Sequence, residues 1–193
     1  MLTNENIRFR NATIDDAAFI AKVVLSAIGR FDFGVQTPEI EAILQSTESI
    51  CAMEDTLYSY RNTRIAEHDG KSIGGLVAYD GKDYAAMREK TFRIIKERNG
   101  IDLNGSDMET QSGEFYIDSL AVIPSERGKG IGKMLLKDIE QQGIAKGHSC
   151  FTLIVDATHP KVKDYYATLG FEVEETMNAF GTCFVRMKKK TNK

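Results

Sequence analysis

The chain has 193 residues, 42% of them hydrophobic and 27% charged, with a formal net charge of −3. That is enough length for one domain with a full core, and there is no global basic field to draw nucleic acid. No apolar run approaches the roughly 18 residues a membrane helix needs, and the opening "MLTNENIRFR" lacks the apolar stretch of a secretion signal. Cys51, Cys150 and Cys183 are odd in number and widely spaced, which argues against a disulfide framework and fits a reducing cytosol. With three histidines and no CxxC, no metal site is expected.

In chain order, Ile7 and Phe9 alternate with Arg8 and Arg10 as in a half-buried strand. Thr13 or Asp15 then caps a helix carrying Phe19, Ile20, Val23, Val24 and Ile28, with Gly29 as its stop. "RFDFGVQTP" reads as a loop. A second helix opens near Pro38 with Ile40, Ile43 and Leu44 on one face. "TRIAEHDGKSIGGLVAYD" reads as two strands joined at Asp69-Gly70, with Gly74 and Gly75 marking a bulge or a close backbone approach. "KDYAAMREKTFRIIKERNG" is a helix capped at Asn99-Gly100, its inner face formed by Tyr84, Met87, Thr91, Ile94 and Ile95. Its outer face carries Arg88, Lys90, Arg93, Lys96 and Arg98, read as solvated. "IDLNGSDMETQSG" is polar and glycine-containing, a mobile loop. "GEFYIDSLAVI" is a strand. "GIGKMLLKDIEQQGIAKG" is a helix with Ile131, Leu135 and Ile139 on one stripe. "SCFTLIVDA" is an apolar strand, "PKVKDYYATLG" a short helix and "FEVEETMNAFGTCFVRMKKK" a final hairpin, with 188–193 as a flexible tail. The order β-α-α-β-β-α-β-α-β-α-β-β, alternating in its second half, implies a mixed α/β sheet within a single domain, 1–193.

The segment "PSERGKGIGK", Pro124 to Lys133, is the densest in glycine. It lies between a strand and a helix, where unpaired N–H groups and the positive end of the helix dipole suit phosphate. A P-loop needs GxxxxGK[ST]; here Gly132-Lys133 is followed by Met134, and Arg127 stands where the first glycine belongs. A dinucleotide fingerprint needs GxGxxG directly after the strand; Gly128-x-Gly130-x-Gly132 is one residue short and "PSER" intervenes. A flexible turn with no ligand would leave three helix-start glycines costing about 1 kcal/mol each. The pattern satisfied is R-x-x-G-x-G, at Arg127, Gly130 and Gly132.

The stretch "IDSLAVIPSERGKGIGKMLL" resembles the acetyl-CoA-binding motif of the GNAT superfamily of N-acetyltransferases. A second stretch, "HPKVKDYYATLGFEV", resembles that family's downstream motif, with His159, Tyr166, Gly170 and Phe171 at its marked positions. The resemblance covers about a third of the chain. It implies a mixed, mostly antiparallel twisted sheet with a central splay and helices on both faces, elaborated here by an extra helix and loop, 80–113, before the motif strand. It also implies acetyl-CoA as cosubstrate, with no metal, and transfer to a primary amine of a small molecule or peptide in the cytoplasm. Nucleic acid and membrane are not expected as partners. A homodimer through the last strands or the inserted helix is left open.

By the same resemblance, the backbone of Leu120, Ala121 and Val122 would pair with the pantetheine arm. The amides of Gly128, Lys129, Gly130, Ile131, Gly132 and Lys133 would hold the pyrophosphate beside Arg127. Tyr166 stands at the position of the family's general acid, with Tyr165 as its neighbour and alternative. His159 replaces the usual asparagine and can also hydrogen-bond the cosubstrate. The strand glutamate that some members use as base is Ile154 here; Asp118, and less well Glu114, are the acids nearest the motif strand. A CoA-binding module without turnover, and a dinucleotide-dependent oxidoreductase, are the rival functions.

Overall fold

The computed structural model describes residues 6–31, 33 and 37–191. Twelve regular elements follow the expected order: β1 (Ile7–Asn11), α1 (Ala17–Ala27), α2 (Pro38–Cys51), β2 (Thr63–His68), β3 (Lys71–Asp80), α3 (Tyr84–Asn99), β4 (Phe115–Val122), α4 (Ile131–Ala145), β5 (Cys150–Asp156), α5 (Pro160–Thr168), β6 (Glu172–Ala179) and β7 (Thr182–Lys190). The strands form one seven-stranded sheet, ordered β1-β2-β3-β4-β5-β7-β6. The β1–β2, β2–β3, β5–β7 and β6–β7 ladders are antiparallel, and β4–β5 is parallel. The β4–β5 register pairs Phe115 with Phe151 and Tyr116 with Thr152, at the start of both strands. Part of the loop "RFDFGVQTP" lies outside the described residues. Among the described residues, no helix is long and apolar enough to cross a membrane.

The chain divides into two compact units. The first comprises residues 1–78 and 119–141. Arg10 grips Asp16 with two bonds, at 2.7 and 2.8 Å, and the Thr13 amide donates to the same carboxylate. This clamp fixes the turn that feeds α1 and holds the Asp16 carboxyl below its usual range. Ile20, Val23 and Val24 of α1 are buried as the periodicity predicts, whereas Ile28 is 52% exposed because α1 ends at Ala27. In α2, Ile43 and Leu44 are half-buried, and burial is completed in the last turn by Ile50 and Cys51. The Asp69-Gly70 turn has left-handed φ at both residues. Gly74 is a close approach: a Cβ there would lie 3.3 Å from both the Ala121 carbonyl and Leu135. The Ile131, Leu135 and Ile139 stripe of α4 is buried.

The second unit comprises residues 79–118 and 142–193. Its core includes Phe115, Tyr116, Phe151, Leu153, Phe171 and Met187. α3 turns Tyr84, Thr91 and Ile94 inward, but also Phe92, over whose ring the Arg88 guanidinium sits at 4.5 Å. Arg88 is therefore packed rather than part of a solvated face, and its Nη2 donates to the Ser106 carbonyl at 2.7 Å. The loop after α3 is not the free polar loop its composition suggests. Asp107 exchanges backbone and side-chain bonds with Asn178, Ser106 caps the Phe180 amide, and Glu109 and Thr110 are buried. The lysines 188–190 are likewise not a tail: they are the last residues of β7, where Lys188 pairs with Thr152 and Glu172.

Glu114 carries the main buried ion pair of this unit. Its carboxylate accepts from Arg186 at 2.5 Å and from Thr110 at 2.9 Å, with both ion-pair side chains almost wholly buried. Arg186 also pairs with Glu174. Lys188 stays 3.8 Å from Glu114, so removing the arginine leaves the buried carboxylate only partly compensated, and Arg186→Met is expected to cost about 3 kcal/mol in urea unfolding. The arginine holds the Glu114 carboxyl below its ordinary 4.5. A depressed folded-state value means this contribution is present above about pH 4.5 and is lost as pH falls through the folded value. Glu114→Gln should accordingly flatten the acid side of the stability curve; an unchanged slope would reassign acid sensitivity to other carboxylates.

Candidate active site

The candidate cosubstrate cradle is built within the first unit. Strand β4 ends at Val122, and a single 3-10 turn, Pro124–Glu126, follows. Arg127 folds back so that its Nε donates to the Val122 carbonyl at 3.0 Å, and Lys129 pairs with Glu126 at 3.0 Å. Gly128 and Gly130 have φ of +76° and +81°, a region side chains rarely adopt, and the space a Cβ would occupy is open at both. Only Gly132 lies inside α4, so two of the three glycines shape the loop rather than weaken the helix. The Met134 amide donates to the Gly130 carbonyl at 3.1 Å. The amides of Ile131, Gly132 and Lys133 therefore precede the helical ladder at the positive end of a 15-residue helix. Together with the exposed Lys129 and Lys133, this is a surface that fits a phosphate-bearing ligand.

Along β4, Asp118, Leu120 and Val122 alternate with the buried Ser119 and Ala121, so the first three share the less buried face. Leu120, Ala121 and Val122 thus lie in the strand that leads into the loop.

The candidate acid–base groups lie in the second unit. Asp118 accepts from the Tyr79 hydroxyl at 2.6 Å. Glu114, by contrast, is almost wholly buried and its Oε2 is engaged by Arg186 and Thr110, an environment that holds the carboxylate ionised and makes it a weaker base than Asp118 would be. Tyr166 sits on α5, its ring packed edge-on against Phe171 at 5.8 Å and against Tyr165 at 5.5 Å. Desolvation pushes the Tyr166 hydroxyl above the ordinary phenol range, so it stays protonated at all physiological pH. Tyr165 is 40% exposed. His159 caps α5, is largely exposed, and places Nδ1 3.1 Å from the Thr158 hydroxyl. Ile154 is half-buried on β5 opposite Arg186, with no acid or base to offer.

Sequence reasoning missed Glu109 and the tyrosines around it. Tyr84 and Tyr116 both donate to its carboxylate, at 3.0 and 2.6 Å, and Tyr79 packs against both rings. The available signals were the inward position of Tyr84 on α3 and the two-residue spacing of Tyr116 and Asp118.

Comparison with known proteins agrees with this geometry. The family model of the Acetyltransferase (GNAT) family matches residues 36–171. The chain belongs to that family. A crystal structure described as an acetyltransferase superposes with a TM-score of 0.73 at 26% identity, covering 96% of this chain and 100% of the other. The PaiA N-acetyltransferase from Thermoplasma acidophilum, in complex with coenzyme A, shares the fold at 18% identity and a TM-score of 0.58, covering 96% and 99%. Thialysine N-epsilon-acetyltransferase from Sus scrofa is 38% identical over 56 residues, 29% of this chain; the chain spans about a third of that relative's length (33%).

Proposed function

We propose that the protein is an N-acetyltransferase that moves the acetyl group of acetyl-CoA directly to a primary amine of a small molecule or peptide, in the cytoplasm. The observation that carries this is the loop Arg127–Lys133, with left-handed Gly128 and Gly130 leading into the α4 amides. Family membership supports it, as does the fold shared with a coenzyme A complex. Acetyl-CoA supplies the acetyl group and departs as the thiol.

The chain's own residues would divide the work. Amides from Gly128 to Lys133, with Arg127 beside them, hold the pyrophosphate; the β4 backbone at Leu120, Ala121 and Val122 pairs with the pantetheine arm; His159 adds a polar contact. Asp118 takes the proton that the amine must lose to become nucleophilic. Tyr166 delivers a proton to the departing sulfur. The new C–N bond forms as the C–S bond breaks; the second proton, shed by nitrogen as the amide forms, would return to the Tyr166 phenolate, and Asp118 would release its proton to solvent, so that one proton leaves per turnover.

Acetyl-CoA-dependent thiol release across a panel of amines tests the reading. The panel includes polyamines, amino acids, lysine-containing and free-N-terminus peptides, and thialysine, the amine named in the porcine relative. Release with at least one amine is expected. In a parallel thermal melt, CoA should raise the melting temperature and NAD(H) should not, since a ligand specific for the folded state stabilises it. Stabilisation by CoA with no thiol release on any amine would instead identify a CoA-binding module, and stabilisation by NAD(H) alone would overturn the cradle.

A further inference from the structure

We propose that Glu109, in the segment between α3 and β4, is a positioning residue for Asp118: it locks the tyrosines that hold Tyr79 against that carboxylate, and its charge strengthens Asp118 as a base. This rests on the reading of Asp118 as the base above.

The connection is continuous in the structure. The Tyr79 hydroxyl donates to Asp118 Oδ2 at 2.6 Å. The Tyr79 ring stacks on Tyr84, with centroids 6.2 Å apart and planes 11° apart, and tilts against Tyr116 at 5.6 Å. Those two supporting rings are tied down by one group: Tyr84 donates to Glu109 Oε1 at 3.0 Å and Tyr116 to Oε2 at 2.6 Å. Glu109 is 5% exposed, and both oxygens are engaged by phenols rather than by a cation. A buried carboxylate needed only to pin a loop would be expected to meet an arginine or lysine, as Glu114 meets Arg186 in the same unit. Glu109 instead faces the cluster that ends at Asp118.

The groups around Glu109 set its charge. Arg88 of α3 favours the carboxylate, and the Tyr84 and Tyr116 hydroxyls favour it through their hydrogen bonds. Asp118 of β4 opposes it, and burial opposes it most. Arg186 of β7 donates its Nε to the Glu109 backbone carbonyl at 3.2 Å, and Tyr79, the penultimate residue of β3, donates to Asp118. The Glu109 carboxyl is pushed up to about 7. Around neutrality the pair passes from one negative charge to two, and the two protons belong to the pair rather than to either residue. As the second charge appears, Asp118 binds a proton more tightly.

The test is the pH dependence of kcat/KM for the best amine of the panel, with the full-length protein, for wild type, Glu109→Gln, Glu109→Asp and Tyr79→Phe. Wild type should show an inflection near pH 7 in addition to the amine's own titration. Glu109→Gln should lose that inflection and run several-fold slower above it, because a neutral neighbour no longer favours the protonated form of Asp118, with KM for acetyl-CoA unchanged. Glu109→Asp should restore the inflection in part. Tyr79→Phe should lower kcat while keeping it. A folded Glu109→Gln protein with the wild-type profile overturns the proposal and leaves acetyl transfer standing. If the Glu109 variants do not fold, an unchanged kcat in Tyr79→Phe overturns it. A wild-type protein inactive on every amine overturns the functional reading, and this inference with it.

Discussion

Replacing Gly130 with valine is expected to abolish CoA binding in calorimetry, a loss of at least about 100-fold, while the protein remains folded. At φ +81° a residue with a Cβ is strained, by about 1–2 kcal/mol, and a β-branched one more. Nothing in the protein lies within 4 Å of the added Cβ, so the loop can relieve the strain by rotating its backbone. That rotation turns aside the amides which would meet the pyrophosphate. Losing two charge-assisted hydrogen bonds, each contributing about 1.5–3 kcal/mol, accounts for a 100-fold effect or more. Gly29→Val supplies the control, because Gly29 also has a left-handed φ, +70°, with open space around it, at the end of α1. It should lower the melting temperature by a similar amount and leave CoA affinity within about twofold. Retained affinity in Gly130→Val would remove the cradle assignment, whatever the family of the chain.

The glycine loop was legible from sequence because its determinants are local. Spacing, a preceding strand and a following helix define it, and Gly128, Gly130 and Gly132 sit within one turn of chain. The element order was legible for the same reason: each strand and helix carries its own period, and the Asp69-Gly70 and Phe180-Gly181 turns carry their own left-handed residues. What escaped depends on contacts distant in sequence. Glu109 lies in a polar run that reads as a loop, and only Tyr84, 25 residues earlier, and Tyr116, seven later, make it a buried carboxylate. Arg88 reads as one cation of a charged face until Phe92 and the Ser106 carbonyl are placed beside it. The lysines 188–190 read as a solvated end because charge hides a strand whose inward partner, Met187, is buried. Ile28 fits the helical stripe but falls one residue beyond the last helical turn. In each case the composition was read correctly and the partner was missing.

Tyr166→Phe is expected to lower kcat by about 100- to 1,000-fold, within the range of a general acid, while the dissociation constant for CoA changes by less than about threefold. The substitution removes one oxygen and keeps the ring that packs edge-on against Phe171, so the fold of α5 and the turn at Gly170 should survive. The Tyr166 carbonyl also keeps its bonds from the Leu169 and Phe171 amides, which fix the residue in place independently of its hydroxyl. Burial raises the proton affinity of the phenol, and the same loss of solvent would raise that of a departing thiolate, so desolvation does not by itself work against the transfer. It does ensure that the proton is present: the rate of the wild-type enzyme should show no alkaline fall attributable to this group below pH 10. Tyr165→Phe separates the two neighbours. Tyr165 is the more exposed of the pair, and its variant should retain most of kcat. If Tyr165→Phe collapses turnover and Tyr166→Phe does not, the acid is Tyr165; if neither does, the leaving thiolate takes its proton from water and the edge-packed tyrosine pair serves only to support α5.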